Sequence, residues 1–159
     1  MVRWFRNRQV SNDRLVVALI KRYYFGANLE DFLSLAGFKL LQPTSSEELL
    51  DLLSRHDPAL VVVDLTQCDV SVLPDIVARS NGSKTLAFGP AHEEKLLNSA
   101  VDAGFDEVVL NTYYHRELKS ILTRLLPGYV LPEVDRKEKR RPDYLDIPAN
   151  RDPRGESQF

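Results

Sequence analysis

One cysteine, Cys68, is all that the 159 residues contain, so no internal disulfide can form and no thiolate pair is available for a metal centre. A reducing compartment is compatible with this usage. Long apolar runs are missing too: nothing approaches the ~18 residues that span a bilayer. Leu15 to Ile20 is far too short, and Met1-Val2-Arg3-Trp4-Phe5-Arg6 lacks the apolar stretch of a secretory signal, so the expected location is cytoplasmic. Glycine is sparse, and Gly26 stands alone after the first apolar run, which excludes a dinucleotide fingerprint or a phosphate-cradling loop. His56, His92 and His115 show no ligand-like spacing, so neither a metal nor another cofactor is expected. Cys68 has no activating neighbour in sequence and reads as an idle thiol.

What is present fits one soluble globular domain: 43% of residues are hydrophobic and 28% charged, and the length leaves no room for a second full core. The net charge of −2 conceals a division. Arg3, Arg6, Arg8, Arg14, Lys21 and Arg22 make the start basic against Asp13 alone, while the body to residue 126 is acidic and the end is balanced. With Trp4 and Phe5, the basic start has the composition to touch phosphate backbones or an anionic membrane, or to lie on its own acidic body. No helix-turn-helix pattern supports nucleic-acid binding, which is not expected.

Between residues 14 and 126, short apolar runs alternate with amphipathic stretches, the pattern of βαβ units around a parallel sheet. Strands are expected at Leu15–Ile20, Phe38–Gln42, Ala59–Leu65, Thr85–Phe88 and Glu107–Leu110. The run into Leu65 is apolar on both pleat faces, as when helices cover both sides of a sheet. Helices are expected from about Ala27 to Ala36, from Ser45 to the Asp57-Pro58 break, from Val72 to Arg79, from about His92 to Ala103 and from about Tyr114 to Leu126. Ser45 and Glu48 have capping-box spacing, and Gly37 and Gly104 stand where left-handed caps end helices.

The organisation read from this is a basic arm over 1–13, one α/β domain over 14–126 and a Pro-rich charged tail over 127–159. Pro127-Gly128 stops the last helix, and beyond it Pro132, Pro142, Pro148 and Pro153 are set among dense opposite charges, a composition expected to be disordered. Two pieces keep apolar character and have the means to dock on the body or on a partner: Tyr129-Val130-Leu131 and Tyr144-Leu145-Asp146-Ile147.

Three strings carry a resemblance: Leu35-Ala36-Gly37-Phe38, then Asp57-Pro58-Ala59-Leu60-Val61-Val62-Val63-Asp64-Leu65, then Ala103-Gly104-Phe105-Asp106-Glu107-Val108-Val109-Leu110. In this order and spacing, residues 14–126 resemble the receiver domain of bacterial response regulators. The resemblance implies an α/β, flavodoxin-like, doubly wound sheet of five parallel strands in the order 2-1-3-4-5, with helices on both faces.

In such receivers the aspartate ending the third strand takes up a phosphoryl group, and Asp64 matches it. Because a carboxylate attacking a phosphoryl group brings like charges together, a divalent cation and fixed donors must offset them. The acidic pair that holds the cation matches Lys21 and Arg22, the hydroxyl residue ending the fourth strand matches Gly89, and the lysine ending the fifth matches Asn111. Thr112 follows where the family has proline. Metal ligands, hydroxyl and lysine are all replaced. If Lys21 or Arg22 reaches Asp64, the carboxylate gains a permanent charge-assisted partner in place of a metal.

The function this implies is a pseudo-receiver without catalysis, not an enzyme, serving signalling as a protein-protein interaction or dimerisation module with a protein partner or a second copy of itself. Receivers often pair through the fourth helix, fifth strand and fifth helix, which would place Tyr113, Tyr114, His115 and Arg116 at the contact. The alternative is an atypical phosphoaccepting response regulator modified at Asp64 with help from Asp69 or Asp13. Tyr23-Tyr24-Phe25 is read as packing at the sheet's rim, with a recognition surface as the other reading.

Overall fold

The computed structural model describes residues 14–131. The basic arm, Asp13 and the tail from 132 onward lie outside the described residues. Five parallel strands form one sheet in the order β2-β1-β3-β4-β5. They are β1 (Leu15–Leu19), β2 (Lys39–Leu41), β3 (Leu60–Asp64), β4 (Lys84–Gly89) and β5 (Glu107–Leu110). The helices are α1 (Tyr23–Leu35), α2 (Ser46–Arg55), α3 (Leu73–Arg79), α4 (Glu94–Ala103) and α5 (Asn111–Leu125). This is the flavodoxin-like arrangement expected from the sequence.

The pleat divides the core in two. Val16, Ala18, Leu60, Val62, Leu86 and Phe88 point to one face, where α1 and α5 cover them with Leu29, Leu33, Tyr114, Leu118, Ile121 and Leu122. Val17, Leu19, Val61, Val63 and Ala87 point to the other, beneath Leu49 and Leu53 of α2, Leu73 and Ile76 of α3 and Ala100 of α4. Every residue of β3 is buried, which explains its unbroken apolar run. Removing such side chains from water stabilises the fold by about 1.5–3 kcal/mol each.

Helix ends follow local chemistry. Ser45 accepts a bond from the Glu48 amide, and Glu48 reaches back to the amide and hydroxyl of Thr44 rather than closing the reciprocal box on Ser45. Gly37 and Gly104, with φ of 83° and 103°, take the left-handed conformation that ends α1 and α4. Asp106 joins β4 to the start of β5 by accepting from the Thr85 amide at 2.8 Å and returning its own amide to the Thr85 hydroxyl at 2.9 Å.

Two helices begin earlier than the sequence pattern suggests. α1 starts at Tyr23 rather than Ala27, because Phe25 continues the inner stripe of Leu29, Phe32 and Leu33 one turn toward the rim. Gly26 is a buried helical residue against which the Gln42 side-chain amide packs. α5 starts at Asn111 rather than Tyr114, with a kink at Glu117. Val101, at an apolar position of α4, is 58% exposed, since α4 lies beside the last strand and no further layer among the described residues covers its outer side. The core also takes in Tyr129, which is buried and faces the Phe38 ring at 6.1 Å, so the apolar piece just past the last helix docks on the body. No helix among the described residues is long and apolar enough to cross a membrane.

Candidate functional site

Strand order reverses between β1 and β3, and in open α/β sheets the crevice at such a point, at the carboxyl ends of the strands, is where ligands bind. Leu19 of β1 is in register with Val63 of β3. Arg22, three residues on, and Asp64, one residue on, therefore emerge on opposite sides of that crevice.

They meet across it. Arg22 Nε donates to Asp64 Oδ2 at 2.8 Å and Nη2 donates to Oδ1 at 2.9 Å, a two-pronged pair that fits the planar guanidinium to the carboxylate. Asp64 is fully buried, while the Arg22 side chain is 35% exposed. Thr66 completes the shell: its hydroxyl donates to Oδ1 at 2.8 Å and its amide to the same oxygen at 3.2 Å. Both carboxylate oxygens thus have donors, as a buried charge requires. Arg22 Nη2 also reaches Asn111 Oδ1 at 3.4 Å, a long contact that brings the residue after β5 into the same cluster.

The floor of the site is aromatic. The Arg22 guanidinium carbon lies 4.5 Å from the centroid of the Phe25 ring and 5.9 Å from that of Phe88. Such stacking favours arginine over lysine. Tyr114 is fully buried against both rings, and its hydroxyl donates to the Phe25 carbonyl at 3.4 Å. Burial first, then the negative charge of Asp64, pushes the Tyr114 phenol well above its ordinary range.

Gly89 ends β4 in a buried position, where an added Cβ would stand 3.4 Å from Leu65 Cδ1 and 3.5 Å from Leu97 Cδ2. Apolar side chains lie within van der Waals contact of the place where the resemblance implied a hydroxyl. Lys21 is exposed. Of the two cations at the end of β1, it is Arg22 that takes the carboxylate.

Sequence reasoning thus finds Asp64, Arg22, Gly89 and Asn111 at the rim. It misses Thr66, although a hydroxyl residue two positions after a strand-end aspartate is a local signal for such a turn. Phe25 and Phe88 are missed as a stacking pair because their meeting depends on the register of α1 over β4, which no short motif encodes.

The expected contact at Tyr113, Tyr114, His115 and Arg116 needs a correction. Tyr114 is not at the surface; it stands four residues before Leu118 and so extends the inner stripe of α5, with no exposed area. Tyr113 is half-buried, and His115 and Arg116 are exposed. His115 instead meets Tyr24, with Nε2 3.3 Å from the phenol oxygen and ring centroids 5.1 Å apart. Tyr23 is 86% exposed, so of the three residues at the start of α1 only Phe25 packs inward. Asp69, a candidate helper for Asp64, is exposed and caps the turn at Ser71. Burial raises the pKa of the Cys68 thiol, in keeping with an unreactive cysteine.

A divalent cation does not fit these residues. The oxygens that would bind it already receive Arg22 and Thr66, the flanking Lys21 is also positive, and no group of three His, Cys, Asp or Glu that could hold a metal occurs among the described residues.

The sequence matches no family model and no curated protein. Solved structures do match. A response regulator from Burkholderia pseudomallei with a phosphorylated aspartate and a calcium ion is similar at a TM-score of 0.61 and 16% identity, covering 84% of this chain and 77% of that one. A CheY-like receiver domain from Methanospirillum hungatei gives 0.62 at 14% identity, over 71% and 93%. An orphan response regulator of H. pylori gives 0.58 at 21% identity, over 76% and 100%. The fold is therefore that of response-regulator receiver domains.

Proposed function

We propose that this chain is a receiver-fold module whose phosphoacceptor site is locked by an internal cation, and that it serves signalling through protein contacts rather than phosphoryl transfer. One observation carries the reading: the Arg22 guanidinium holds both oxygens of Asp64. In-line attack by a carboxylate needs a free oxygen, a cation bridging it to the phosphoryl group, and donors for the developing charge. Here the oxygens are occupied, the positions after β1 are cationic, and Gly89 has no side chain to donate. Asn111 offers an amide in place of a cation, and its oxygen faces Arg22.

A fixed pair has a different use. It holds the ends of β1 and β3 together and keeps the rim in one conformation, so the domain presents a constant surface. We place the partner contact on the face formed by α4, β5 and α5, where Val101 and Leu110 are exposed.

The test is incubation with acetyl phosphate and magnesium, followed by intact mass measurement. The expected spectrum shows unmodified protein under conditions that phosphorylate an ordinary receiver. A phosphate adduct that vanishes in Asp64→Asn would overturn the proposal in favour of an atypical phosphoacceptor.

A further inference from the structure

β5 closes one side of the sheet. Its inner edge pairs with β4, and among the described residues no strand pairs with its outer edge. An edge with unpaired amides and carbonyls is a template for another strand, and proteins that leave one open usually cover or charge it. This edge opens on an apolar groove of about 490 Å³ whose lining includes Leu97, Val101, Val108, Leu110, Tyr113 and Arg124. Val101 and Leu110, at 58% and 40% exposed, are uncommonly open for branched apolar side chains lying together.

We propose that the occupant is the chain's own tail: residues 143–147, Asp143-Tyr144-Leu145-Asp146-Ile147, lie along the outer edge of β5 as a sixth strand. The length of this piece is set by Pro142 and Pro148. Proline cannot donate to a ladder, so it confines a strand to the residues between and is tolerated at the ends of an edge. The interval matches β5, Glu107–Leu110, to within one residue.

The two pleat faces match as well. On β5, Val109 packs toward α1 and α5, and Glu107, on the same face, pairs with Arg124 of α5 at 2.7 Å; Val108 packs toward α4. A strand beside it therefore needs apolar side chains on the α4 face, next to Val101 and Leu110, and a mixed set on the α5 face, next to Tyr113 and Arg124. Leu145 and Ile147 alternate with Tyr144 and Asp146 in that way, and Asp146 brings an anion toward Arg124.

The tether is long enough. Leu131 packs against the core, and the stretch from there to Asp143, at 3.3–3.6 Å per residue, extends about 40 Å. Crossing the whole five-stranded sheet takes about 20 Å at 4.7–4.9 Å per strand gap. Docking in cis would cover the face assigned above to the partner. This contact is independent of the chemistry at Asp64, and failure of either leaves the other standing.

Amide hydrogen exchange on the full chain, at dilute concentration, reads the edge directly. Outward-facing β5 amides are expected to exchange slowly, and L145D/I147D to speed them at least about tenfold while β1 and β3 amides are unchanged. D146K, which keeps the apolar side chains, is expected to speed them about twofold to fivefold through loss of the cross-strand charge pair. Fast exchange in the unaltered chain, or slow exchange that neither substitution changes, would overturn the proposal. So would protection that grows with protein concentration and survives L145D/I147D, which assigns the edge to a second copy.

Discussion

Phe88 and Tyr114 lie nearly parallel, with ring centroids 4.0 Å apart and planes 14° from coincidence, and Phe25 stands edge-on to Tyr114 at 5.5 Å. These rings join the end of β4 to the first turn of α5 and form the apolar floor on which the Arg22 guanidinium rests. The site is therefore a charged pair set on aromatic packing, with water excluded from below. Rim geometry and core packing are one structure, and a change in either is felt in both.

Tyr114 gives the first expectation. Tyr114→Ala removes a fully buried ring and should cost about 3–5 kcal/mol in urea unfolding. Tyr114→Phe should cost less than about 1 kcal/mol, because the lost bond to the Phe25 carbonyl is long at 3.4 Å. The two differ again with pH. Burial and Asp64 raise the folded phenol's pKa above its unfolded value, so the folded state resists ionisation that the unfolded chain undergoes. Stability from this source is full below the unfolded pKa of about 10 and is lost as pH rises past it. Burial raises Tyr129 in the same direction. Unfolding midpoints measured from pH 9 to 11.5 should fall less steeply in Tyr114→Phe than in the unaltered chain; equal slopes would refute the linkage.

Arg22 is the second. Arg22→Ala leaves the Asp64 charge buried with only Thr66 to satisfy it. Removing one partner of a buried pair costs about 3–5 kcal/mol, and here about 2–4 is expected because the arginine is partly open to water. Arg22→Lys retains charge but loses the fork and the stacking on Phe25, so an intermediate loss is expected. Asp64→Asn in the Arg22→Ala background should recover part of the loss by removing the uncompensated charge. Additive losses in that double-mutant cycle would mean that the pair contributes no coupling.

Much of this fold is legible in the residues. Branched apolar runs separated by amphipathic periods announce β1 through β5, and Gly37 and Gly104 mark helix ends through the backbone conformation they alone take easily. The Arg22 position is legible too, because counting from the end of β1 needs only local order. What escapes the sequence is tertiary. Tyr114 stands four residues before Leu118, so the period of α5 marks it as inward, but nothing local says that its ring stacks on Phe88, twenty-six positions away and on another strand. Thr66 is harder to read for another reason: a hydroxyl residue two positions after Asp64 fits a tight turn, but a threonine is common after a strand, so the pattern alone does not tie its hydroxyl to the carboxylate.

Gly89 separates space from chemistry. Its backbone is not in the left-handed region, and an added Cβ would make ordinary contacts at 3.4 Å and 3.5 Å with Leu65 and Leu97. Gly89→Ala should therefore be neutral or stabilise by up to about 1 kcal/mol through the unfolded chain. Gly89→Thr adds two more heavy atoms against a buried Leu65 and should cost about 1–3 kcal/mol, read as a lower urea midpoint at unchanged slope. A threonine tolerated as well as alanine would show that the leucines move aside easily, and that a hydroxyl was lost there without being packed over.

Reversing the charge at the end of β1 tests the lock most directly. Lys21→Asp with Arg22→Asp replaces the cations by carboxylates beside Asp64, which repel one another until a cation arrives. The unaltered chain, whose carboxylate is already held by Arg22 at 2.8 Å and 2.9 Å, should show the same melting temperature in magnesium and in chelator. The double variant should melt lower than the unaltered chain in chelator and rise by about 3–8 °C in millimolar magnesium, because a ligand that binds only the folded state stabilises it by mass action. The comparison isolates one cause, since sheet, floor and Thr66 are common to both proteins. A melting temperature indifferent to magnesium in the double variant would show that the rim cannot be shaped into a cation site by charge alone, and that the arginine replaced more than a metal.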